Sequence, residues 1–161
     1  MSLPRTAEHE LTFTAAPCGR CDLCSGSCAT REIGTMLVQA GLRPTRQRLE
    51  LGRLLFQNGD RHVTADSLHD DAKKHGVKVS LATIYNTLQQ FTSAGMLRRL
   101  AIDGQKTWYD TNMSEHHHFF CEDDNCVLDI DSTHLALNQM PEVPPGMEIA
   151  RVEVIVRLRR C

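Results

Sequence analysis

Four consecutive residues, Glu115-His116-His117-His118, hold the densest chemistry in the chain. Imidazole suits Fe²⁺ and Zn²⁺, and carboxylate suits Mn²⁺, so a mixed set of the two can serve any of these ions. On an extended segment side chains alternate faces, so His116 and His118 point one way and His117 the other. Two imidazoles about 7 Å apart on one face chelate one ion only if further donors close the shell. Candidates lie elsewhere in the chain: His62 in a loop before a helix, Asp110 at the end of a strand and Asp129 on a neighbouring strand. A His₃Asp₂ set of this kind would span both halves of the chain and fix one against the other, as a sensor requires. The plainer alternative is a solvated strand end.

A second constellation is Cys18, Cys21, Cys24 and Cys28, with the spacing Cys-x₂-Cys-x₂-Cys-x₃-Cys of bacterial [4Fe–4S] runs, although Ala29 stands where those have Pro. Four thiolates in eleven residues suit an Fe–S cluster, zinc or haem; the alternatives are redox-labile thiols or no role. The N-terminus lacks a signal-peptide core and no apolar run approaches the roughly 20 residues of a membrane span. A cytoplasmic location is therefore expected, in which cysteines are metal ligands or redox groups rather than disulfides.

The elements that would position these groups can be read from periodicity. Residues 1–28 form a Cys-rich leader with few large apolar residues. A first helix starts near Ala29 and stops at Gly41. Thr45 caps a second carrying Leu49, Leu51, Leu54, Leu55 and Phe56. Thr64 caps a third, Ala65 to His75, and Ser80 caps a fourth, Leu81 to Ala94. Two strands follow, Met96 to Ile102 and Gln105 to Asp110, with Asp103-Gly104 suggesting a two-residue hairpin. Helices followed by a tight hairpin suggest a winged helix-turn-helix over residues 29–111. After a hinge, Asn112 to Glu115, residues 112–161 read as strands His116 to Cys121 and Val127 to Ile130, a helix near Ser132 to Met140, and a last strand, Glu148 to Arg159. The fold class expected is α+β, a winged helix followed by an α/β domain.

In the fourth helix Leu81, Ile84, Leu88 and Phe91 share one face, and Ala82, Tyr85, Asn86, Gln89 and Ser93 occupy the other. That second face is nearly uncharged yet rich in hydrogen-bonding groups, which suits base edges in a major groove. Ser80 and Thr83, at the helix start, suit phosphate. Arg43, Arg46 and Arg48, with Arg98 and Arg99 on the wing, are further candidate phosphate contacts. Charge supports the division of labour: residues 29–110 carry a net +4 and residues 111–161 a net −5. No nucleotide loop, nucleophile elbow or H-E-x-x-H indicates an enzyme.

Three patterns together resemble the ferric uptake regulator superfamily: Gly41-Leu42-Arg43-Pro44-Thr45-Arg46-Gln47-Arg48, Ser80-Leu81-Ala82-Thr83-Ile84-Tyr85-Asn86-Thr87-Leu88, and the His-rich strand entering Phe119-Phe120-Cys121. The resemblance implies a winged-helix domain, a C-terminal dimerisation domain and metal-controlled binding of a homodimer to double-stranded operator DNA. Its regulatory-site pattern falls on His62, Asp110, His116, His118 and Asp129. Relatives carry Cys-x₂-Cys after the His strand, often with a second pair near the C-terminus. Here Cys121 and Cys126 have four residues between them and only Cys161 follows, which argues against the family's structural zinc.

The triple His and the segment from Asp129 to Pro144 look like the iron response regulators of alphaproteobacteria. That branch implies haem at His116, His117 and His118, a haem-synthesis enzyme as haem donor, and control of iron uptake and haem synthesis genes. The N-terminal order Pro17-Cys18 does not match the branch's Cys-Pro haem motif. Two other functions compete: a peroxide sensor in which bound Fe²⁺ oxidises a ligand His, and an Fe–S redox protein using the N-terminal cysteines.

Overall fold

A computed structural model describes residues 27–102, 104, 106–135 and 139–161. Four helices come first: α1 (Ser27–Gln39), α2 (Arg46–Phe56), α3 (Ala65–Lys74) and α4 (Leu81–Ser93). Each predicted cap forms. Thr45 Oγ1 accepts from Arg48 N and Ser80 Oγ from Thr83 N, while Thr64 and Ser67 exchange hydrogen bonds in a capping box. These contacts satisfy amides that have no partner within the first helical turn. Gly95, at φ +71°, ends α4 with Met96 N donating to the carbonyl of Phe91, a turn that favours glycine.

Apolar spacing then decides the packing. Ile33, Leu37, Leu51, Leu55, Leu68, Ile84, Leu88 and Phe91 form one core beneath the four helices. A three-stranded antiparallel sheet closes it, with β1 (His62–Thr64) and β2 (Arg98–Leu100) on either side of β3 (Trp108–Asp110). A second sheet has β4 (His116–Cys121) in the middle, antiparallel to β5 (Cys126–Asp131) and parallel to β6 (Ile155–Leu158). A second core of Leu100, Ile102, Trp108, Phe120 and Val127, with Ile155 against it, joins the wing to this sheet. It straddles residue 111, where the sequence suggests a boundary.

Four local expectations are corrected. Strand β1 appears where a loop was expected; three residues are too few to show a period, and it exists by pairing with β3. The wing's register differs from that of a two-residue turn at Asp103-Gly104, which would set Leu100 opposite Thr107; Asp103 itself lies outside the described residues. The wing's ladder sets Leu100 opposite Trp108, and burial of that pair outweighs the local turn preference. The helix expected from Ser132 is a single 3-10 turn, Ser132–His134, followed by extended Leu135; residues 136–138 lie outside the described set. The last strand is confined to Ile155–Leu158, the stretch with β4 alongside it.

Candidate metal centre

The register of the two sheets brings five donors together. Pairing of β1 with β3 sets His62 opposite Asp110, and pairing of β4 with β5 sets His118 opposite Asp129. His116, two residues before His118, shares its face, and both are buried. One ligand atom from each of His62, Asp110, His116 and His118 lies within 4.8 Å of the other three. The fifth, Asp129, brings Oδ1 to 3.0 Å from His62 Nε2 and 3.4 Å from His116 Nε2. Across the centre, His116 Nε2 lies 3.1 Å from Asp110 Oδ2 and 2.9 Å from His118 Nε2. All five residues expected from the sequence converge.

The donors also face the right way. A carbonyl oxygen only accepts, so the 2.9 Å contact between His116 Nδ1 and Ser114 O puts the proton on Nδ1. The Nε2 lone pair of neutral His116 is then free to face the centre. Asp110 is fully buried; one of its oxygens accepts from the Asn112 backbone N–H at 2.7 Å, and Oδ2 has no hydrogen-bond partner among the described residues. His62 Nε2 is likewise buried; Asp129 Oδ1 lies 3.0 Å away, but no acceptor among the described residues meets it with hydrogen-bond geometry. Leaving such groups unsatisfied costs about 1–3 kcal/mol each. Donors about 2.1 Å from a common ion sit roughly 3.0–3.4 Å from each other, close to several of the spacings found here. The residues therefore fit a divalent ion with a mixed N/O shell.

Asn112 organises the carboxylates. Its backbone N–H donates to Asp110, its side-chain amide donates to Asp129 Oδ2 at 3.0 Å, and its own oxygen accepts from Ser114. Burial opposes ionisation of Asp129, but nearby His62 and the Asn112 amide outweigh it and hold this carboxyl down at about 2. The sequence marked Asn112 only as hinge; its signal is a short polar residue two positions after a buried Asp, the spacing of an Asx-type contact. Glu153, 3.6 Å from His118 Nδ1, was not anticipated at all.

His117 points away, is half-buried, and accepts from Val154 N. The three adjacent imidazoles expected to share haem are thus divided between two faces, as strand alternation dictates. Among the N-terminal cysteines, Cys18, Cys21 and Cys24 lie outside the described residues; of Cys28 only the backbone, in the first turn of α1, is described. Cys121 and Cys126 are cross-strand partners at the end of the β4–β5 hairpin.

On α4, Ala82, Tyr85, Asn86 and Gln89 are exposed together, opposite buried Ile84, Leu88 and Phe91. Ser80 is exposed at the helix start, Thr83 is half-buried beside it, and Arg43, Arg46 and Arg99 are also exposed. Two other arginines are not free for phosphate, contrary to expectation. Arg48 donates to Gln90 Oε1 at 2.9 and 3.1 Å and to Arg43 O, stapling α2 to α4. Arg98, only 9% exposed, turns inward to the carbonyls of Met113 and Ser114.

The sequence profile of the Ferric uptake regulator family matches residues 39–157. The chain belongs to the ferric uptake regulator family. A ferric uptake regulation protein of Klebsiella pneumoniae is 32% identical over 106 residues, covering 65% of this chain and 68% of its own. The peroxide-responsive repressor PerR of Staphylococcus aureus is 32% identical over 111 residues, covering 69% and 73%. In structure, the ferric uptake regulator of Pseudomonas aeruginosa, solved with manganese, superposes with a TM-score of 0.62 at 23% identity, over 80% of this chain and 97% of that one. Members of the family are metal-responsive transcriptional regulators that bind DNA as dimers, not enzymes. In this member no helix among the described residues is long and apolar enough to cross a membrane.

Proposed function

We propose that this family member is a cytoplasmic, homodimeric, iron-responsive regulator whose signal ion is held by His62, Asp110, His116, His118 and Asp129. The observation that carries the reading is the convergence of donors, three of them buried, from both halves of the chain. His62 and Asp110 come from the wing sheet, and the other three come from the C-terminal sheet. Residues 29–111 then serve as the DNA-binding unit and residues 112–161 as the sensing and dimerisation unit. Fe²⁺, Mn²⁺ and Zn²⁺ all suit the donor set. When bound, the ion supplies charge to buried Asp110 and partly exposed Asp129 and a bond between the halves. The chain's own residues do the rest: Asn112 aims the carboxylates, and the exposed face of α4, with Arg43 and Arg46, meets double-stranded operator DNA. Exposed Leu128, Met147, Ile149 and Leu158 on the C-terminal unit supply apolar surface for a second copy.

The finer reading is the iron response regulator branch, with haem as ligand, a haem-synthesis enzyme as donor, and control of iron uptake and haem synthesis genes. It rests on the triple-histidine resemblance. Buried His116 and His118 cannot meet a macrocycle in this conformation, so His117 is the imidazole through which haem would enter. A second reading, peroxide sensing through oxidation of His62 or His116 by bound Fe²⁺, is favoured by the 32% identity to a peroxide-responsive repressor. Iron at the N-terminal cysteines would be a separate input; a full-length anaerobic preparation without bound iron or cluster absorbance excludes it.

The deciding experiment selects duplexes from a random library and measures their binding to apo, Mn²⁺-loaded and haem-loaded protein. Mn²⁺ is expected to change wild-type affinity and to leave His118→Ala unmoved. Equal affinities for apo and Mn²⁺-loaded wild type would overturn the proposal. Asn86→Ala should lose base preference while keeping its fold.

A further inference from the structure

Arg98 holds a position that its charge alone does not explain. It lies on β2 as the cross-strand partner of Asp110 and is 9% exposed. Its guanidinium has no carboxylate contact among the described residues. One terminal nitrogen donates to Ser114 O and the other to Met113 O, both at 3.1 Å. Burying a guanidinium among neutral acceptors is costly, and its Nε has no partner among the described residues. A side chain needed only for solubility or for phosphate would extend into water. The fork geometry of arginine, with parallel N–H groups, suits two successive carbonyls held at a fixed orientation.

The Ser114 carbonyl takes two donors: Arg98 on one side and His116 Nδ1, at 2.9 Å, on the other. That carbonyl decides which nitrogen of His116 carries the proton. Ligating histidines depend on such partners, whose loss typically weakens ion binding 10–100-fold. We infer that Arg98 is a positioning residue for the ion site: it pins the segment from Met113 to Ser114 to the wing and so orients His116 with Nε2 toward the other donors. The inference rests on the proposed ion site and adds a mechanical link. Arg98 belongs to the same strand as exposed Arg99, so the segment between the two sheets and the DNA-facing wing share one anchor.

The test uses the full-length chain with Mn²⁺ as probe, in wild type, Arg98→Met, Arg98→Lys and His118→Ala. Arg98→Met is expected to bind Mn²⁺ 10–100-fold more weakly. Arg98→Lys, with an ammonium that can still serve one carbonyl, should recover part of the loss. Nitrogen-15 NMR of the apo imidazoles is the second readout: wild-type His116 should be protonated at Nδ1 and bare at Nε2, and Arg98→Met should show a mixture. Wild-type affinity and an unchanged tautomer in Arg98→Met would overturn the inference, as would an Nε2-protonated His116 in wild type, which needs no variant to fold. If wild type itself binds no Mn²⁺, the ion-site reading fails, while the His116 tautomer still decides the role of Arg98.

Discussion

Strand β3 places three consecutive side chains in three environments. Trp108 enters the apolar seam between wing and C-terminal sheet, Tyr109 joins the core beneath the helices, and Asp110 enters the polar centre. The first and last of these are two ways of fastening the same wing to the same sheet. In the seam, Trp108 and Phe120 meet edge to face at 6.4 Å, and Arg157 stacks over Phe120 while donating to Ile102 O. In the polar centre, nitrogens and oxygens face one another, and His62 Nε2 and Asp110 Oδ2 are buried without a hydrogen bond among the described residues. Apolar burial needs no ligand and changes little with solution conditions. A cluster of unsatisfied donors acquires its binding energy only with an ion. One contact keeps the two sheets together and, on the function proposed above, the other makes their placement conditional, a division suited to a regulator that must respond without unfolding.

The comparison is open to attack at several points. Trp108→Ala should have the largest effect, about 3–5 kcal/mol, by emptying the seam. Thermal melts should show a fall of roughly 6–20 °C with and without Mn²⁺. If the loss vanished on adding Mn²⁺, the two contacts would not be independent. Next, His118→Ala should abolish stabilisation by Mn²⁺, which for wild type is about 2.7 kcal/mol at a hundredfold excess over Kd. Melts in chelator and in Mn²⁺ read this directly; a surviving shift would place the ion elsewhere.

Arg157→Met is a smaller probe of the seam, costing about 1 kcal/mol through the lost stacking and carbonyl contact, again independent of Mn²⁺. The smallest effect concerns neither contact and serves as a control. Burial works against ionisation of Asp71, but Arg61 at 2.6 Å and Lys74 outweigh it and hold the carboxyl below its ordinary 3.8. A depressed carboxyl stabilises the fold above its unfolded value and loses that contribution as pH falls below it. Asp71→Asn should therefore cost under about 1 kcal/mol at pH 7 and nothing in acid once the wild-type carboxyl is protonated. A difference from wild type that persists there would mean that something other than charge is lost.

Much of the site was legible because it depends on short-range rules. Strand alternation separates His117 from its neighbours, and the caps at Thr45, Thr64 and Ser80 obey local hydrogen bonding. The family pattern pointed to the same five donors. Arg48 and Arg98 were misread because charge suggests solvent, whereas a buried guanidinium is recognised only once its acceptors are in place. Asn112 was read as part of a hinge, yet its backbone N–H and side-chain amide together span two carboxylates 19 residues apart in the chain.

The chain's own order of residues determined the four helices, the exposed polar face of α4 and the donor types at the centre, since each follows from spacing or chemistry within a few residues. Only the tertiary structure decided that β1 exists, that Leu100 pairs with Trp108, and that His62 reaches Asp110. Those are pairings between segments remote in sequence. Their register is set by which apolar side chains can be buried together, and no local preference encodes that choice.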